Sequence, residues 1–195
     1  QADAVTFDAG ATSAVSEFPD GTNVVYDFEA AIQVTLPSHW EDFSFSGTGD
    51  SIAAKSVGTD ASNRALVVTN TDGSQTKVLA ALGANDEKVS VSWSPNNTVL
   101  GFSATGGSTG GTFGRQEIYL IGPDGSASGI LIVDGTSFHN IWAPNGKNLL
   151  YSVADSGNGY KAALWYADSE GDRNGESRRK MAVSTLVSKC TFSSD

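Results

Sequence analysis

Cysteine is almost missing from this chain. Cys190 stands alone, which excludes an intrachain disulfide and a cysteine-rich zinc site. Flanked by Lys189, Thr191 and Phe192, it reads as part of a strand and is expected to be a buried, inert thiol. Histidine is nearly as scarce. His39 and His139 have no cysteine or histidine at ligand spacing, so no metal site is expected. No run of about 18 apolar residues occurs, and no membrane-spanning helix is expected. The N-terminus has no basic region followed by an apolar stretch, so no intact signal peptide is read. Gln1 fits either the first residue of a matured secreted chain or a plain boundary.

Positive charge is also short. Twelve Lys and Arg face 22 Asp and Glu, a formal net charge of −10. That balance argues against nucleic acid, whose phosphates must be neutralised, and against docking on anionic lipid. Motifs of catalysis are missing too. No Gly-x-Ser-x-Gly elbow between a strand and a helix is present. The glycine-rich stretch Ser103–Gly114 has neither the helix nor the lysine of a phosphate cradle, and reads as a flexible hairpin loop. Glu41-Asp42 and Asp86-Glu87 are adjacent carboxylates. Adjacent strand residues point to opposite faces, so neither pair suits glycoside hydrolysis and both read as surface charge. Three of the five arginines crowd into the mixed-charge loop Glu170–Lys180, a solvated connection. No catalytic residue, cofactor or metal is therefore expected.

What the chain does have is repetition. Apolar residues make up 39% of 195 positions, enough for one packed domain. Glycine is abundant at 22 residues, as numerous tight turns between short strands require. An aromatic, a small residue, a turn and an apolar run recur as Phe43-Ser-Phe45-Ser-Gly-Thr-Gly-Asp-Ser-Ile52, Trp93-Ser-Pro-Asn-Asn-Thr-Val99 and Trp142-Ala-Pro-Asn-Gly-Lys-Asn-Leu149. Phe18-Pro-Asp-Gly-Thr-Asn-Val24 reads as a shorter relative, and Cys190-Thr-Phe192-Ser-Ser-Asp195 as the opening of another. The steps from Phe45 to Trp93, Trp142 and Phe192 are about 48 to 50 residues, the length of a propeller blade. Apolar runs closed by Asp72-Gly73, Asp124-Gly125 and Glu170-Gly171 follow each, then Lys77-Val-Leu79, Ile130–Val133 and Met181-Ala-Val183. Pro-Asn-Asn, Pro-Asn-Gly and Asp-Gly are strong turn signals.

Each unit thus contains about four short antiparallel strands. Such sheets bury both faces only by stacking around an axis, so the expected fold is all-β, built of β-propeller blades. One domain over residues 1–195 is expected, with blades near 15–40, 41–88, 89–137 and 138–188, and 189–195 opening a further one. The continuous apolar runs Val99–Phe102 and Leu149–Tyr151 read as inner strands.

Trp-Ser-Pro-Asn-Asn and Trp-Ala-Pro-Asn-Gly, followed by the Ile118-Tyr-Leu120…Asp124-Gly125 element, resemble the repeats of TolB-type β-propellers, a WD-like class. His39-Trp-Glu-Asp-Phe-Ser-Phe45 and Gly114-Arg-Gln-Glu-Ile-Tyr119 are similar to uncharacterised bacterial envelope propellers. The resemblance covers roughly residues 15 to 195. It implies an extracytoplasmic repeat scaffold whose loops bind proteins, and related propellers cap serine peptidases. Closed propellers of this kind have more blades. The chain is then a piece of a longer protein, a unit completed by other copies, or an unusually small propeller.

The function expected is a non-catalytic protein-binding or assembly scaffold of the cell envelope or extracellular space, its partner another protein or further copies of itself. The alternatives are the propeller domain of a larger hydrolase, peptidase or glycosidase, and a structural subunit that polymerises through open strand edges. Candidate binding residues at blade ends are His39, Glu41, Asp42, Arg115 and His139.

Overall fold

A computed structural model describes residues 1–105, 115–169 and 178–193. It is all-β, with sixteen strands among the described residues and only short 3-10 turns between them. The first sheet comprises β1 (Ala4–Phe7), β2 (Ser13–Glu17), β3 (Asn23–Asp27) and β4 (Ile32–Leu36). The second comprises β5 (Trp40–Phe45), β6 (Ser51–Ser56), β7 (Ala65–Asn70) and β8 (Lys77–Ala81). The third is built from β9 (Val89–Val91), β10 (Gly101–Thr105), β11 (Arg115–Ile121) and β12 (Ala127–Asp134). The fourth is built from β13 (Thr136–Trp142), β14 (Asn148–Ala154), β15 (Ala162–Asp168) and β16 (Arg179–Lys180). In every sheet the strands lie side by side in chain order, the blade of a β-propeller. Among the described residues no helix is long and apolar enough to cross a membrane.

The turn that opens each sheet is the same object four times. Backbone bonds close it at Asp8/Ser13, Ser46/Ser51, Ser94/Val99 and Ala143/Asn148. Its fourth residue is left-handed in all four: Ala11, Gly49, Asn97 and Gly146, with φ of 54°, 77°, 59° and 68°. A side-chain oxygen pins the returning strand. Asp8 Oδ1 accepts from Ser13 N–H at 2.9 Å, Ser46 Oγ from Ser51 N–H at 3.2 Å, and Ser94 Oγ from Val99 N–H at 3.0 Å. In the fourth turn Asn145 Oδ1 does this for Lys147 and Asn148.

This equivalence moves the start of the first sheet to Ala4, ahead of residue 15. Phe7-Asp8 holds the opening turn, while Phe18-Pro-Asp-Gly is the next connection, closed by Gly21 N–H to Phe18 O at 2.9 Å. Pro-Asp-Gly chemistry suits both turns, so it misplaces the boundary. Val99–Phe102 and Leu149–Tyr151 contribute to second strands, each flanked by a strand on both sides as the inner-strand reading expects. One further expectation changes. The last strand of the fourth sheet is Arg179–Lys180, paired with Tyr166 and Trp165, and Met181–Val183 lies beyond it. Glu170-Gly171 and residues 106–114 of the glycine-rich loop fall outside the described residues.

The chain divides into two compact units, residues 1–93 with 123–125 and residues 94–122 with 126–195. In the first, Val15, Val25 and Leu36 of the first sheet form one core with Trp40, Phe43, Phe45, Ile52, Ala54 and Val67 of the second. In the second unit, Phe102, Ile118, Leu120, Leu131 and Val133 join Leu149, Tyr151, Val153 and Ala167. A run of rings crosses this core. Trp142 stacks on Phe102 at 5.6 Å, Phe102 meets Phe138 at 5.5 Å, Phe138 meets Tyr151 at 5.4 Å, and Tyr151 stacks on Trp165 at 6.4 Å. Trp93 and Trp142, the residues that announce the repeat, occupy one structural position, each preceding an opening turn.

Turn and core give opposite predictions. Ala11→Gly relieves a left-handed alanine and raises stability by about 0.5–1 kcal/mol. Gly146→Ala strains the turn, and its Cβ meets Asn96 at 2.6 Å, lowering stability by about 1–3 kcal/mol. Phe102→Ala removes a ring only 1% exposed and lowers stability by about 3–5 kcal/mol. Urea unfolding of the three variants measures all of these.

Candidate functional site

Lys55 sits where no lysine is expected. It lies in β6, whose neighbours Ile52, Ala53 and Ala54 are completely buried, and is itself 8% exposed. A charge there requires partners. Across the sheet it faces Glu41. The register then slips between Glu41 and Ser44, and Asp42 adopts a left-handed φ of 64°. This bulge places two residues of β5 against one of β6 and re-aims the Asp42 side chain. Lys55 Nζ consequently meets Glu41 Oε1 at 3.4 Å and Asp42 Oδ2 at 3.2 Å. It also donates to the Asp86 carbonyl at 3.5 Å.

A second ion pair flanks the first. Arg64 Nη1 donates to Asp86 Oδ1 at 2.8 Å, and Arg64 Nε to the Gly58 carbonyl at 3.1 Å. Asp86 occupies the 3-10 turn Gly83–Lys88. Burial pushes its carboxyl up, but the Arg64 hydrogen bond, a backbone hydrogen bond and the charges of Arg64 and Lys55 together hold it below the ordinary value. At the end of β2, Glu17 behaves oppositely. Partial burial and then the Asp42 charge, with a smaller push from Glu41, raise its carboxyl above the ordinary value despite a hydrogen bond from the Asp42 backbone. Glu41 and Asp42 pair with the Lys55 ammonium, and Glu17 lies within reach of both carboxylates, so the three acids outnumber that ammonium. The cluster presents an anionic end, whose half-exposed Glu41 and Asp42 oxygens suit cationic side chains rather than anions.

Glu41 and Asp42 are exposed, as a surface role requires, and both also neutralise a buried lysine. Neither histidine joins them. His39 is exposed, and its carbonyl accepts from Val57 N–H at 2.8 Å. His139 is exposed in β13, opposite Ser152, and belongs to the other compact unit. Arg115 opens β11 opposite Asp134, and its side chain lies outside what the structure describes. Asp86 turns inward to Arg64, and the 3-10 turn carrying it also holds Glu87. No group of three or more His, Cys, Asp or Glu suited to a metal ion occurs among the described residues. Cys190 is half-buried and caps the 3-10 turn Val187–Lys189, so the expected strand does not form there. Lys55, Arg64 and Glu17 escaped the sequence reading, although a lone charge inside Ser51-Ile-Ala-Ala-Lys-Ser56 is itself a signal.

Comparison with known proteins adds the fold. No family model matches the chain, and no curated protein matches it. Solved structures do. The chain is similar to Pyrococcus horikoshii acylaminoacyl peptidase, with 11% identity and a TM-score of 0.59, covering 92% of this chain and 30% of that one. It is similar to the tricorn protease at 11% identity and a TM-score of 0.59, covering 94% of this chain and 21% of that one. It is also similar to the β-propeller domain of the Trilobed protease from Pyrococcus furiosus, a domain with an open velcro topology. The identity there is 11% and the TM-score 0.59, over 88% of this chain and 54% of that domain. These likenesses establish a β-propeller fold, and the chain spans less than a third of the length of the two whole peptidases.

Two predictions follow from the charges. Glu41→Gln with Asp42→Asn strands a buried ammonium and lowers stability by about 2–4 kcal/mol, and adding Lys55→Met recovers most of it. A urea double-mutant cycle measures the coupling. Glu17 has its folded carboxyl raised, so the native state holds this proton more tightly than the unfolded chain. Its ionisation therefore weakens the fold as pH rises above the ordinary glutamate range. Glu17→Gln raises Tm at pH 7 and leaves it unchanged at pH 3, as scanning calorimetry shows.

Proposed function

We propose that this chain is the propeller part of a larger hydrolase of peptidase type, and that it binds and positions polypeptide rather than cleaving it. One observation carries the reading. Peptidases recur among the solved structures similar to it, and the chain accounts for 30% of one and 21% of another. A binding role agrees with the construction. Rigid sheets hold short connections whose side chains vary, and the Glu41–Asp42–Lys55 end of the second sheet offers oxygens to basic side chains of a passing chain. In this reading the catalytic nucleophile lies on a part of the polypeptide other than these blades. The scaffold role expected from the sequence becomes the task of the propeller within the enzyme.

The test is made on the native protein. Its intact mass and its reaction with a fluorophosphonate, which marks activated serines, are measured together. A polypeptide well above 20.2 kDa that takes the label, beside a 195-residue chain that does not, is the expected result. A native polypeptide of that small mass which stays unlabelled refutes the proposal.

A further inference from the structure

The segment after the fourth sheet repeats a packing seen inside the first unit. There, Trp40, Phe43 and Phe45 lay β5 onto the Val15 and Val25 face of the first sheet. In the second unit Val187, Cys190 and Phe192 lie on Leu150, Leu164 and Tyr166 of the fourth sheet. The spacing is identical, three residues and then two. The receiving positions match as well. Val15 and Leu150 both come two residues after the opening turn closes, and their cross-strand partners are Val25 and Tyr166. Val187 N–H also anchors the segment to the sheet through Ser152 Oγ at 3.2 Å. Yet Phe43 and Phe45 are 6% exposed, whereas Cys190 and Phe192 are only partly buried. Nearby, Met181, Val183 and Leu186 are 40%, 58% and 47% exposed. The segment leaves the 3-10 turn in extended backbone at Cys190 and has no strand paired with it among the described residues.

We infer that residues 190–193 are the first strand of a fifth antiparallel sheet, carried on the same polypeptide and docked on the Leu150–Leu164–Tyr166 face of the fourth. The continuity is argued from Ser193. It follows Phe192 as Ser46 follows Phe45 and Ser94 follows Trp93, and those serines open tight turns and pin the returning strand by their hydroxyls. A turn of this kind returns the chain within a few residues, so the second strand is local rather than borrowed. The partner is then an apolar β-hairpin of the kind that β6 and β7 form beside β5. This inference shares with the proposed function the premise of a longer polypeptide, and it needs no hydrolase.

Two experiments test it. In the first, residues 194–195 of the full chain are replaced by the sequence of residues 47–81, so that β6–β8 follow Ser193 as they follow Ser46. Hydrogen exchange at 190–193 slows at least about tenfold, the added segment becomes protected, and Phe192→Asp reverses both. An added segment that exchanges freely, with the rest of the chain folded, overturns the inference. In the second, exchange at 190–193 is compared between the native polypeptide and the 195-residue chain. Slower exchange in a longer native polypeptide supports the inference even where no fluorophosphonate label is found. Equal exchange in a labelled hydrolase overturns it and leaves the hydrolase reading intact. Light scattering of the 195-residue chain shows a monomer. A dimer that Phe192→Asp dissociates makes a second copy the occupant and also overturns it.

Discussion

Burial of the second strand from both sides is the constraint on which this structure rests. Val15, Ile52, Ala53, Ala54, Leu149, Tyr151 and Val153 lie on three such strands and are 2% exposed or less. Consecutive strand residues face opposite sides, so each of these strands needs an apolar neighbour on both faces. One four-stranded sheet cannot supply that, and a second sheet must lie against it. Within the first unit Phe43 and Phe45 meet Val15 and Val25, and within the second the rings of Phe102 and Tyr151 belong to one core. Val5 and Phe7 hold the positions in the first sheet that Phe43 and Phe45 hold in the second, yet they are 48% and 57% exposed. The same position is buried or bare according to whether a sheet covers it.

Local chemistry sets the register that this packing uses. A one-residue slip would turn every buried side chain of a second strand to the wrong neighbour. The opening turns prevent it by fixing where the chain returns, with a side-chain acceptor at the start of three turns and at Asn145 within the fourth, and a left-handed residue at the fourth position of each. Asp8 shows the strength of that grip. Burial raises its carboxyl, but bonds from the Ser13 backbone and the Thr12 hydroxyl prevail and hold it below the ordinary aspartate value. Alanine and asparagine tolerate the left-handed position because hydrogen bonding on either side over-determines the turn.

The blades were legible in the sequence wherever the turn chemistry was distinctive. Pro-Asn-Asn and Pro-Asn-Gly state their geometry locally, so the hairpins after Trp93 and Trp142 could be read directly. Phe7-Asp8-Ala-Gly-Ala11 forms the same turn without proline, and its equivalence shows only in its bonds. The candidate site was less legible. Glu41 and Asp42 were named, but strict alternation sent their carboxylates to opposite faces. A bulge overrides alternation, and nothing in Trp40-Glu-Asp-Phe43 demands one locally. It appears only in the pairing of β5 with β6, where it brings both carboxylates to Lys55. The site is therefore a consequence of pairing between strands, which a local reading does not reach.

Lys55 and Ser152 show how one scaffold acquires different ends. Each stands four residues beyond the closing residue of its opening turn, Ser51 or Asn148. Each holds the 3-10 turn that follows its sheet: Lys55 through the Asp86 carbonyl, Ser152 through the Val187 N–H. The lysine stem reaches outward, so its turn is held at arm's length and its charge calls up Glu41 and Asp42. The serine hydroxyl is short and neutral. It draws the following backbone directly onto the sheet, which lets Val187, Cys190 and Phe192 settle on Leu150 and Tyr166. The side chain at this equivalent backbone position thus gives the two blade ends different character, a charged cluster at Lys55 and a backbone anchor at Ser152. Repetition fixes the backbone, and the local chemistry of a blade end is set by the few positions at which the repeat is broken.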